Sequence, residues 1–293
     1  MELDYVKLKE IKPVLAGYIR ESQTLLKSSV VPGDNVIHDV RVLMKKSRSV
    51  LKLAGNQMDN NFFKLDILAF REVGRIMCSW RETSVLRKTF KELRKEYPEI
   101  FSGLNENEKL ISLMHKPEPV QEPSDDMKTG LEKIDKLLNK AGYRIRFQTM
   151  DKLDPQLLLK ELESTYIIVV DAYLTCRNNP KADNFHEFRK KVKDFLYQLY
   201  FFRPLNSSVV KSLEKRLVNL TQNLGRYNDY AQLVKALDYK YIDGTNIPAM
   251  DELIVKIRDK QDRYLAKVWP SAYKVFCPGQ KLVNVLGFKV LII

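Results

Sequence analysis

Two stretches of the chain, HDVRVLMKKSR from His38 to Arg48 and HEFRKKVK from His186 to Lys193, bring imidazole, guanidinium and ammonium groups together at helical spacing. Residues three, four and seven apart share one face of an α-helix. His38, Arg41, Lys45, Arg48 and Lys52 follow steps of 3, 4, 3 and 4 and fall on one seam, with Lys46 beside it; His186, Arg189, Lys190, Lys193 and Tyr197 make a second. Like charges one turn apart repel by roughly 0.2–0.5 kcal/mol per pair. An anion carrying several charges would offset that repulsion. A lone basic face is commonly just solvated, but histidine first, arginine three later and lysine seven later on two helices 148 residues apart is hard to assign to a random surface.

Other chemistry is poorly served. A zinc site takes three or four ligands. The third histidine, His115, lies in a proline-rich stretch, Cys78, Cys176 and Cys277 have no ligand spacing, and the surrounding cations oppose a metal, so neither metal nor other cofactor is expected. No phosphate-loop, dinucleotide or nucleophile-elbow motif is present. Glu82 and Asp229 lie 44 and 43 residues after the two histidines; both read as helix starts, where an acid caps the helix and complements its dipole. Arg81 and Asn228 beside them are placed to reach the basic seams. Arg71 and Arg75, one turn apart, read as an exposed face. The chain is expected to bind and not to catalyse.

The elements that must hold these seams are helical. Of 293 residues, 44% are apolar and 30% charged, with 11 glycines, and 50 Lys plus Arg against 37 Asp plus Glu give a formal charge of +13. Such a balance excludes a disordered chain and favours a polyanionic partner. The longest apolar run, YIIVV at 166–170, is far too short to span a membrane, and MELDYVKLKE lacks the apolar centre of a leader, so a cytoplasmic protein is expected. Apolar periodicity predicts helices near 4–28, 36–54, 61–80, 83–97, 126–141, 155–177, 184–203, 207–225, 229–239 and 249–268. The best linker is 115–126, with three prolines and four acids. Five elements used twice suggest an internal duplication. A weaker echo, GYRIRF from Gly142 against GFKVLI from Gly287, would make two short strands, one closing each half.

The motifs H-D-x-R-V-x-x-x-K-K-x-R from His38, H-E-x-R-K-x-x-K from His186 and L-G-x-x-N-D from Leu224 resemble the CHAD family, the conserved histidine α-helical domain. The resemblance spans about residues 4 to 277. It implies an all-α fold: two pseudo-twofold-related helical bundles, 1–148 and 149–293, forming a single domain with a basic central groove or pore. It also implies binding of inorganic polyphosphate, with association with polyphosphate granules. Carried over residue by residue, the contacting positions are His38, Arg41, Lys45, Lys46 and Arg48, then His186, Arg189, Lys190 and Lys193, with Arg81 matching an arginine of the first repeat. Lysines at 45 and 46 replace the family's usual arginines, which keeps charge but loses the bidentate fork. Leu196 stands where an arginine commonly precedes the tyrosine matched by Tyr197, and Glu82 replaces an aspartate.

Polyphosphate offers charge without bases, so spaced cations suffice to hold it. Histidine, with an ordinary pKa of about 6.5, predicts tighter binding as pH falls. Nucleic acid is the alternative partner, given the charge and the 14 tyrosines and 13 phenylalanines; yet Phe188, Phe195, Tyr200 and Phe202 fall at core spacing.

Overall fold

Several helix starts in this chain carry capping side chains. Asp59 accepts from the backbone N–H of Asn61 and Phe62, Ser124 from that of Met127, and Asp154 from that of Gln156 ahead of Pro155 at the first helical position. The computed structural model describes residues 7–78, 80, 82–102, 104, 123–150, 152–237 and 248–287, without side chains at 82–84. Among the described residues every regular element is a helix. They are α1 (Ile11–Lys27), α2 (Asp34–Ala54), α3 (Asn60–Ile76), α4 (Glu82–Glu96), α5 (Pro98–Ser102) and α6 (Asp125–Phe147), followed by α7 (Pro155–Asn178), α8 (Ala182–Leu199), α9 (Ser207–Leu237), α10 (Pro248–Phe276) and α11 (Leu282–Leu286). None of the described helices is long and apolar enough to cross a membrane.

Contacts arrange these helices in two rings. In the first, α1 packs on α2, α2 on α3, α3 on α6 and α6 on α1; in the second, α7 packs on α8, α8 on α9, α9 on α10 and α10 on α7. The rings meet where α2 lies against α8 and α7, which brings the two histidine helices into contact. A separate apolar cluster joins Phe90, Leu93, Ile100 and Phe101 of α4 and α5 to Leu233, Leu237, Leu253 and Ile257 of α9 and α10. The two rings are packed differently. The second is rich in aromatics: Phe188 lies 6.0 Å from Tyr173 and 5.9 Å from Phe276, and the Tyr166 hydroxyl donates to Val275 O at 2.8 Å. The first is mostly aliphatic, with Leu15, Ile19, Val40, Leu51, Val73 and Leu138 buried.

Each histidine helix buries one stripe and sets its basic seam beside it. On α2 the buried Ile37, Val40, Met44, Ser47 and Leu51 each precede a seam residue, and on α8 Phe185, Phe188 and Val192 do the same. A step of one residue is about 100°. Core packing therefore fixes the direction of the charge.

Two expected boundaries are corrected. Residues 207–225 and 229–239 belong to one continuous helix, α9, as far as Leu237, so Asp229 is in mid-helix and not a cap. Gly225, where the first of these two stretches was expected to end, is helical, and its missing side chain leaves room for the Arg189 guanidinium: a Cβ there would meet Nη2 at 3.2 Å. Residues 142–147 end α6 and form no strand; Ala141 and Ile145 bury one face, and Arg144 and Arg146 suit a helix C-terminus. Residues 288–293 lie outside the described ones.

Candidate functional site

Where α2 crosses α8, small and amide side chains let the backbones come close. Ser49 Oγ donates to Asp194 O at 2.7 Å, and Gln198 Nε2 donates to Ser49 O at 3.1 Å. This crossing turns the two basic seams toward one region. Lys45 sits at their confluence. Its pKa is pushed down to about 7, first by burial, then by the positive charges of Lys193, Arg41, Arg189 and Arg48. Two of these neighbours belong to α2 and two to α8.

On the α3 side of α2, Arg41, Lys45 and Arg48 line a cleft of about 200 Å³ together with Arg71, Arg75 and Gly74. Arg41 Nη1 donates to Gly74 O at 3.0 Å. The Nε atoms of Arg41 and Arg48 are buried without a hydrogen-bond partner. Burial lowers the Arg48 pKa, partly countered by Asp194 and reinforced by Arg71 and Arg41. No carboxylate lines the cleft. Glu72 is nearest in sequence, and its pKa, held down to about 2 by Arg75 and Lys133, keeps it a paired anion.

On α8 the basic groups have partners from their own ring. Arg189 Nε donates to Thr221 O at 3.2 Å; its pKa is lowered by burial against the favourable charge of Asp229. His186 Nδ1 lies 3.1 Å from Asn228 Oδ1. Asn228 thus reaches the seam as its position in the sequence suggests. Tyr197 is half-buried between Arg189 and Asp194, its pKa raised to about 12 by burial.

The remaining expected residues scatter. His38 is exposed at the start of α2. Lys46 turns toward α1, with Nζ 5.4 Å from the Tyr18 ring. Lys52 pairs with Asp194 at 2.6 Å, and Lys190 with Glu187 at 2.6 Å. Arg81 lies outside the described residues. Arg71 and Arg75 read from the sequence as an exposed face, and they are exposed, yet they also line the cleft. Their spacing of one turn on the helix after the first histidine helix was the available signal. Among the described residues no three His, Cys, Asp or Glu side chains gather as a metal-ligand set.

The exposed aromatics, Phe62, Tyr143, Phe147 and Tyr273, lie off both seams. The arrangement can hold an anion through charge and N–H donors. Comparison with family models finds that the CHAD domain matches residues 15–238, a narrower span than the motifs suggest. No curated protein matches the sequence.

Proposed function

The chain belongs to the CHAD domain family, and from that premise we propose that it binds inorganic polyphosphate through the faces of α2 and α8, as a module that holds the polymer without cleaving it. The observation that carries this reading is Lys45, half-buried among cations of both helices, which with its desolvation hold its pKa at about 7. Such crowding is costly in the free protein and favourable once a polyanion enters. The paired rings, α1, α2, α3 and α6 against α7 to α10, support a two-repeat organisation of residues 1–148 and 149–293 around a basic groove at the α2 and α8 crossing. Binding would displace counterions and weaken steeply with salt. A cytoplasmic placement on polyphosphate granules follows from this reading.

Titration calorimetry of long-chain polyphosphate into wild type and into a His38→Ala, Arg41→Ala, His186→Ala, Arg189→Ala variant tests the proposal, with helical circular dichroism matched first. Tight binding lost in the folded variant is expected. Equal binding by both, or by neither, overturns it. Competition with single-stranded RNA at fixed salt addresses the rival ligand. Polymer length unchanged after prolonged incubation with magnesium is expected of a non-catalytic module.

A further inference from the structure

The cleft between α2 and α3 is small and lined by cations from two helices. Met44, 1% exposed, and Gly74 line it together with the cations, and Lys45 links it to the α2 and α8 crossing. Its volume is about 200 Å³, room for a phosphoryl group or two and not for a long stretch of chain. An interior phosphate of the polymer has two non-bridging oxygens, whereas a terminal one has three and takes a second negative charge with a pKa near 6. Donors surround the recess. Arg41 and Arg48 bring two buried Nε–H groups without partners, Lys45 an ammonium, and Arg71 and Arg75 approach from α3. A buried donor left unpaired costs about 1–3 kcal/mol, and since neither Nε has exposed surface an acceptor reaches them only as the guanidiniums turn.

Arg71 and Arg75 do not belong to the histidine-helix pattern. Positions 148 residues further on hold Asn219 and Asn223, so the feature is confined to one side of the molecule.

Building on the polyphosphate reading above, we propose that the recess formed by Arg41, Lys45 and Arg48 of α2 with Arg71 and Arg75 of α3 captures the terminal phosphoryl group of the polymer. The protein then recognises chain ends in addition to charge along the chain. Arg75 contributes through what its bidentate pairing with Glu72 leaves over, and Arg71, with no acid against it among the described residues, contributes most.

The test compares linear tripolyphosphate with cyclic tetrametaphosphate, anions of comparable charge of which only the first has ends. Dissociation constants are measured at fixed salt for wild type, for Arg71→Gln, Arg75→Gln and for Gly74→Met. An added Cβ at Gly74 meets no heavy atom within 4 Å, so a methionine there fills the recess while favouring the helix. Wild type is expected to prefer the linear anion by about tenfold or more, as one or two charge-assisted hydrogen bonds would give. That ratio is expected to fall to about one in both variants, while binding of long polymer weakens by a smaller factor. A wild-type ratio near one, failure to bind either small anion, or a wild-type ratio retained in both variants overturns end capture. Failure of wild type to bind long polymer at all is a different result and removes the underlying reading.

Discussion

Compare the basic faces of α2 and α8. Both begin with histidine, set arginine three residues on and lysine seven on, and lie one residue off a buried stripe. Their second layers differ. Arg189 rests on Gly225, donates to Thr221 O and feels Asp229, while His186 meets Asn228. Arg41 and Arg48 keep buried Nε atoms without a partner, and their neighbours from α3 are two more arginines. Both arginines donate to a carbonyl of the helix behind them, but on one side the motif also meets an amide and a carboxylate and on the other two further cations. Side-chain type along one helix does not distinguish these outcomes; the helix packed behind it does.

The largest expected effect breaks the comparison at its base. Phe188 is fully buried behind the second seam, and Phe188→Ala is expected to cost about 3–5 kcal/mol in denaturant unfolding. Val40, 148 residues earlier and also fully buried, has fewer atoms to lose, so Val40→Ala should cost less. Equal losses would mean that the aromatic and aliphatic rings support their seams alike.

Next in size is Lys45→Met, expected to stabilise the free protein by about 2 kcal/mol at neutral pH by removing a half-buried charge. The sign follows from linkage. The unfolded chain keeps the proton up to the ordinary 10.5, whereas the folded one gives it up near 7. Stability therefore rises with pH across that window in wild type, and the rise is expected to flatten in the variant. A polyanion favours charged Lys45, so affinity should fall as pH climbs past about 7. Calorimetry in buffers of different ionisation enthalpy reads the proton taken up; an unchanged pH profile in Lys45→Met would assign the dependence to the histidines.

Paired glycine variants sharpen the contrast. Gly74→Ala has open space around its Cβ and should gain up to about 1 kcal/mol from helix propensity. Gly225→Ala forces the Arg189 guanidinium aside, so the same gain should be largely offset and polymer affinity should drop. Thermal melts with binding isotherms separate the two. The smallest effect belongs to Asp194→Asn. Losing its partly exposed pair with Lys52 should change stability by less than about 1 kcal/mol. Removing a carboxylate from the crossing should tighten polyanion binding slightly; weaker binding would show that Asp194 orients the lysine for the ligand.

Much of the α-helical architecture was legible because apolar periodicity and capping residues act locally. The starts at Asn60, Asp125 and Pro155 lie within two residues of their expected positions for that reason. The long-range roles of single residues were not legible. Gly225 carries the same letter whether it ends a helix or admits an arginine, and only the structure shows Arg189, 36 residues away, lying over it. Residues 142–147 alternate like a strand, but α1 lay against Gly142 and Phe70, Val73 and Leu138 shared the core with Ile145, so the helix continued.

The sequence by itself determined that the chain is helical, basic, and built around two histidine-led seams, because propensity, charge and the 100° step are properties of the chain alone. Only the tertiary structure decided which cations are used as a group. Lys45 joined both seams while Lys46 turned to Tyr18, Lys52 was taken by Asp194, and Arg71 entered the recess from another helix. The reason is physical: burial and the fields of neighbouring charges depend on what is close in space, and spacing along one helix fixes direction without fixing the neighbour.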